Sequence, residues 1–116
     1  MRKMFTVVSG VLVLAFGSDF AVAKDTLFWN LTINKILKLQ LSATGKDNWG
    51  PDQTANDSDH SVDTDERLKI TDVTTGNYDV LFSDDKKRVC KVREVKIEVG
   101  HIFSIGEDLL KNACQN

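Results

Sequence analysis

The chain has 116 residues, with 15 Lys plus Arg against 17 Asp plus Glu, 41% hydrophobic residues and two cysteines. That length bounds it to one small domain. The mildly acidic balance argues against nucleic acid as a partner, because phosphate binding needs a basic patch.

The first residues, Met1-Arg2-Lys3-Met4, are basic, and an apolar run from Phe5 to Phe16 follows. Gly17-Ser18-Asp19 breaks the run, and Ala21-Val22-Ala23 offers the small residues that a signal peptidase accepts. This order predicts a secretory signal over 1–23, cleaved after Ala23, and a single domain over 24–116 in the periplasm or outside the cell. An uncleaved anchor is the alternative, but a span needs about 20 apolar residues and Asp19 interrupts first, so no membrane association is expected after cleavage. Removing 23 of the 116 residues leaves 93; loss of Arg2, Lys3 and Asp19 leaves 13 basic and 16 acidic residues, a net charge of −3. A core of that size is marginal without a further constraint. An oxidising compartment would supply one: Cys90 and Cys114 are expected to form the single disulfide two cysteines allow, with two free buried thiols as the alternative.

Thr26 to Thr32 is β-prone, and Leu37, Leu39 and Leu41 alternate with Lys38 and Gln40 as in a half-buried strand. A helix is the rival there, since Ile33, Ile36, Leu37 and Leu41 also fall near one helical face. From Ala43 to Glu66 the composition turns to Gly, Asn, Ser, Thr and Asp with Val62 nearly alone as an aliphatic residue, which predicts a long, mobile loop of the kind that usually carries function. Leu68–Thr71 and Tyr78–Phe82 read as neighbouring antiparallel strands about a Gly76-Asn77 turn. Ser83–Lys87 is the next turn. In the strand that follows, Val89 to Val99, the alternation changes face near Arg93-Glu94, as a bulge would make it. His101–Ile105 gives a last strand, and Glu107–Asn112, acids first and Lys111 late, reads as one or two helical turns. The fold class expected is all-β: a small β-sandwich or partly open barrel with a short C-terminal helical segment and one disulfide.

The acidic loop 44–66 is the strongest local feature. Asp57, Asp59, Asp63 and Asp65 stand at alternating positions from which carboxylates can converge on Ca²⁺, a hard cation wanting six to eight oxygens, although the spacing is not that of an EF-hand. The plain alternative is a loop kept soluble by its charges. His60 and His101 lack any zinc-ligand spacing, and no Gly-x-Ser-x-Gly elbow is present. Trp29 and Trp49 suggest sugar stacking, against the simpler reading that each covers core. Asn30-Leu31-Thr32 and Asn56-Asp57-Ser58 match glycosylation sequons. Trp49, Asp52, Asp57, Asp59 and His60 form the expected ligand surface of a non-catalytic exported module that meets an extracytoplasmic protein, a glycan or a cation. A structural Ca²⁺-stabilised domain is the alternative and a small hydrolase a distant one. No cofactor beyond that Ca²⁺ is expected.

Several short pieces recur in a fixed order: Asn30-Leu31-Thr32, Ile36-Leu37-Lys38-Leu39-Gln40-Leu41-Ser42, Trp49-Gly50-Pro51-Asp52, Gly76-Asn77-Tyr78-Asp79-Val80, and Asp108-Leu109-Leu110 before Cys114. Together they resemble a family of small exported bacterial domains with the pattern N-x-T, I-x-x-L-x-L-S, W-G-x-D, G-x-Y-D-V, Cys, D-L-L, Cys. Two positions depart from it: Ile33 stands where Gly usually follows N-x-T, and the acidic turn reads Asp84-Asp85-Lys86-Lys87-Arg88 without Gly. The resemblance implies an all-β exported domain with no settled activity. The name argininosuccinate lyase that some relatives carry does not suit a short β-rich chain, since that enzyme is large and helical.

Overall fold

The computed structural model describes residues 23–116, so the expected leader lies, apart from Ala23, outside the described residues. Seven strands are present there: β1 (Thr26–Leu31), β2 (Ile36–Ala43), β3 (Arg67–Ile70), β4 (Gly76–Asp84), β5 (Val89–Ile97), β6 (Ile102–Gly106) and β7 (Cys114–Gln115). They form two sheets, one of order β3-β1-β6 and one of order β2-β4-β5-β7. The sheets share one core, and no closed barrel forms among the described residues.

Alternation builds both layers. In β1, Thr26, Phe28 and Asn30 point inward while Leu27, Trp29 and Leu31 point outward. In β2 a register shift between Ile36 and Lys38 leaves Ile36, Leu39 and Leu41 buried and Leu37 exposed, so the stretch is a bulged strand and not the rival helix. Phe28, Leu68, Ile70, Phe103 and Ile105 from one sheet meet Leu39, Val80, Phe82, Val92 and Ile97 from the other. The Phe28 and Phe103 rings lie 5.4 Å apart, tilted by 46°.

Three expectations need correction. The strands β3 and β4 are not a hairpin: β3 pairs with β1 and β4 with β2 and β5, in different sheets. The link between them turns a corner at Asp72, whose φ is 60°, and the Tyr78 hydroxyl braces it by donating to the Thr74 carbonyl at 2.8 Å and accepting from the Thr74 N–H at 3.0 Å. The C-terminal helical segment is a single 3-10 turn, Glu107–Leu110, because Leu110 turns into the core and the chain then re-enters the sheet as β7. The third concerns the long loop, which is packed.

That segment, 44–66, closes the side where the edge strands β2 and β3 would otherwise lie open. Asn48 N–H donates to Ser42 Oγ at 2.9 Å, Gly50 N–H to the Leu41 carbonyl at 2.9 Å, and Leu39 N–H to Asp52 Oδ1 at 3.0 Å, so Asn48 to Asp52 runs along the edge of β2. A 3-10 turn, Gln53–Asn56, follows, with Asp52 capping it through Thr54 N–H. Buried Gln53 reaches the end of β3, donating to the Thr71 carbonyl at 2.9 Å and accepting from Thr71 N–H at 3.0 Å. Val62 then pairs with Ile36 through two 2.9 Å backbone hydrogen bonds and is fully buried. Polar residues that read as loop in one dimension serve here as edge-pairing groups. Native-state hydrogen exchange is accordingly expected to be slow at Gly50, Thr54 and Val62 and faster on the exposed turn Ser58–His60; uniformly fast exchange across 48–62 would show that the segment is not packed in solution.

Candidate functional site

The expected ligand residues divide among three places. Asp52 is committed to structure, its Oδ1 accepting from Leu39 N–H, Thr54 N–H and Thr54 Oγ1. Asp57, Asp59 and His60 lie on the turn beyond the 3-10 segment, where His60 is exposed with φ 56°. Trp49 is half-buried on a different surface, described below.

The four alternating carboxylates do not form a cage. Asp57 and Asp59 adjoin each other: a hydrogen bond shared with Asp59 raises the Asp57 pKa, and the same contact lowers that of Asp59. Asp63 faces Lys35 at 3.5 Å, and Asp65 accepts from Trp29 Nε1 at 2.9 Å while Arg67 stacks 4.2 Å over the Trp29 ring. Among the described residues, no three His, Cys, Asp or Glu side chains are placed to hold one metal ion.

Several motif residues turn out to be buried hydrogen-bond anchors. Asn30 and Thr32 are fully buried; Asn30 Nδ2 donates to the carbonyls of Asn34 and Val62, and its Oδ1 accepts from Thr32 N–H and Oγ1. The amide of this sequon is therefore inaccessible in the folded protein. Asp79 sits opposite the β4–β5 bulge, accepting from Glu94 N–H at 3.1 Å, Gly45 N–H at 3.0 Å and Arg93 at 3.0 Å. Burial opposes its ionisation, but these donors outweigh burial and hold its pKa below the usual carboxylate range. The bulge expected near Arg93-Glu94 thus exists, with Glu94 at φ 57°, and a carboxylate stabilises it.

A second ionic network ties three connections together. Asp84, with a fully buried side chain, accepts from Arg88 Nε at 2.8 Å, from the N–H groups of Lys86 and Arg88, and from Asn34 Nδ2. Arg88 also makes a two-pronged contact with Glu107 at 3.1 and 2.9 Å, and Glu107 accepts from Ile33 N–H. The turn Asp84–Arg88 is thereby a clamp between the β1–β2 link and the C-terminal segment.

The surface left with chemistry to offer is the outer face of the four-stranded sheet. Leu81 on β4 and Val89, Lys91 and Arg93 on β5 point outward, Trp49 joins them from the edge segment, and Asn112 and Gln115 complete a concavity of about 430 Å³. A second hollow of about 240 Å³ shares Leu81 and Val89 and extends to Lys38, Gln40 and Ser83. The Lys91 ammonium lies 5.5 Å over the Trp49 ring and 3.9 Å from exposed Asp47. One wall is fixed covalently: Cys90 and Cys114 are disulfide-bonded, and Lys91 N–H donates to the Ala113 carbonyl at 2.8 Å. Of the expected ligand residues, this face includes Trp49 alone. Lys91 and Arg93 were not legible as site residues because a charged outward position in a half-buried strand looks like ordinary solubility, and only the fold sets them beside Trp49, 42 and 44 positions earlier. Comparison with family models, with curated proteins and with solved structures finds no match to this chain.

Proposed function

We propose that this protein is an exported, non-catalytic binding module whose recognition surface is the outer face of the four-stranded sheet, with Trp49 as its aromatic anchor. The observation that carries the reading is the continuous hollow in which a half-buried indole stands beside aliphatic Leu81 and Val89, cationic Lys91 and Arg93, and the amides of Asn112 and Gln115. An aromatic plane ringed by a few polar groups is suited to holding a ligand. Its lining lacks the paired carboxylates or activated nucleophile through which protons and bonds are moved. The disulfide and the leader pattern at the N-terminus support export, and among the described residues no helix is long and apolar enough to cross a membrane. The sheet face is favoured over Asp57 to His60 because those residues lie on an exposed turn with no hollow beside them among those described above.

The test is a glycan array and an extracytoplasmic pull-down with the native protein and with Trp49→Ala. Loss of an indole stack is expected to weaken the captured ligand by about tenfold, with the melting curve little changed. Capture that survives Trp49→Ala but is lost on changing Asp57 and Asp59 to Asn would move the site to the acidic turn.

A further inference from the structure

We infer that the ligand of this face is an acidic saccharide, an oligomer of uronate or sulfated sugars; this rests on the proposed reading of the face as the recognition surface. The argument starts from charge. The whole chain is net acidic, yet the outward positions lining the two hollows include Lys38, Lys91 and Arg93 and no carboxylate. Asp79, which is buried, is neutralised by Arg93 and two backbone N–H groups, and Asp47 meets Lys91 only from the rim at 3.9 Å. An incoming anion can therefore replace an exposed, weak contact at Lys91 without breaking a buried one.

Spacing and shape restrict the class further. The cations without a buried partner are Lys91 and Lys38, which lies two strands away, roughly 10 Å across the sheet; Arg93, roughly 7 Å along β5 from Lys91, is held on Asp79 and presents only its remaining guanidinium edge. Cations distributed along a shallow trough match charges repeated along an oligomer better than a single compact anion. Trp49, whose ring carries Lys91 at 5.5 Å, supplies a flat apolar surface for the C–H face of a pyranose when an anion draws Lys91 aside, and Gln40, Ser83, Asn112 and Gln115 supply donors and acceptors for hydroxyls. An acidic peptide would be expected to add to a strand edge, but at Val89 and Cys90, where the two hollows meet, the edge of β5 is already paired with β7.

The experiment is calorimetric titration of the disulfide-bonded protein with four probes: an oligogalacturonate, its fully methyl-esterified counterpart, a heparin-derived oligosaccharide, and poly-glutamate of similar charge. Binding is expected for at least one of the two acidic saccharides, at least tenfold tighter than for the ester or poly-glutamate, and weakening as salt rises. Lys91→Gln should reduce the acidic saccharide's affinity severalfold without altering the melting temperature. Equal binding of acid and ester, lost in Trp49→Ala, would leave the face as the recognition surface and overturn the acidic class. Tighter binding of poly-glutamate would overturn the saccharide in favour of an anionic polypeptide. Failure of both acidic saccharides to bind would also overturn the inference, while the array result with Trp49→Ala decides the face independently.

Discussion

Replacing Cys114 with Ser is expected to destabilise the protein by about 3–4 kcal/mol, the unfolded-chain entropy removed by closing a loop of this length. The two cysteines are 24 positions apart and lie directly opposite one another in the β5–β7 pairing. For a domain of this size the loss corresponds to a fall in melting temperature of more than about 12 °C. The consequence extends to the proposed recognition surface, since β7 spans only Cys114–Gln115 and the same tail contributes Asn112 and Gln115 to the hollow. Thermal melts of native and Cys114→Ser protein, each with a captured ligand titrated in, measure both effects. A shift of only a few degrees would show that Leu110 in the core and the Ala113–Lys91 hydrogen bond hold the tail without the crosslink.

Asp84→Asn is expected to cost about 1–3 kcal/mol at neutral pH, because it takes the charge from a buried acceptor on which the Arg88 side chain, two backbone N–H groups and Asn34 converge, while Glu107 still pairs with Arg88. Burial works against the charged form of Asp84, but hydrogen bonds from Asn34, from the Arg88 side chain and from the N–H groups of Arg88 and Lys86 outweigh it, so its folded pKa lies below the unfolded value. Glu107 is lowered too, chiefly by the Arg88 contact, and Asp79 by the donors that overcome its burial. A depressed folded pKa means that stabilisation is complete above the unfolded carboxylate values, about 3.9 to 4.3, and is lost as pH falls through them toward the folded ones. Native protein should therefore be flat in stability near pH 6–7 and decline steeply below about pH 5. The Asp84→Asn curve should start lower and decline less, as one of the three groups no longer titrates. Urea denaturation across this pH range decides the matter, and parallel curves for the two proteins would remove Asp84 from the acid response.

The strands were legible because their signal is local. Thr26 to Leu31 is β-prone, Leu39 to Leu41 alternates with period two, and Val89 to Ile97 alternates with one change of face, and burial of one face demands that period whatever the partner. The bulge at Arg93-Glu94 was legible for the same reason, since an extra residue flips the alternation. The disulfide could be expected from there being only two cysteines in a chain with a leader-like N-terminal sequence.

Pairing was not legible. Nothing in β3 and β4 distinguishes a hairpin from a corner between sheets, and the parallel pairing of β1 with β6 joins segments about 75 residues apart. The roles of the acids were equally hidden. Asp52, Asp79 and Asp84 look like Asp57 and Asp59 in composition, yet the first three are anchored by backbone donors and the last two remain on the surface. A carboxylate is buried only where several N–H groups converge on it, and that convergence is a property of the assembled backbone. By itself, then, the sequence determined most of the strand content and the crosslink, consequences of neighbouring residues or of a count. It did not determine the inward face of β1, where Thr26 and Asn30 point inward and Leu27 and Leu31 outward, nor the exposure of Leu37. The tertiary structure decided which edges meet, which charges are consumed in holding turns, and which side chains gather around Trp49, because those depend on groups that only folding brings together.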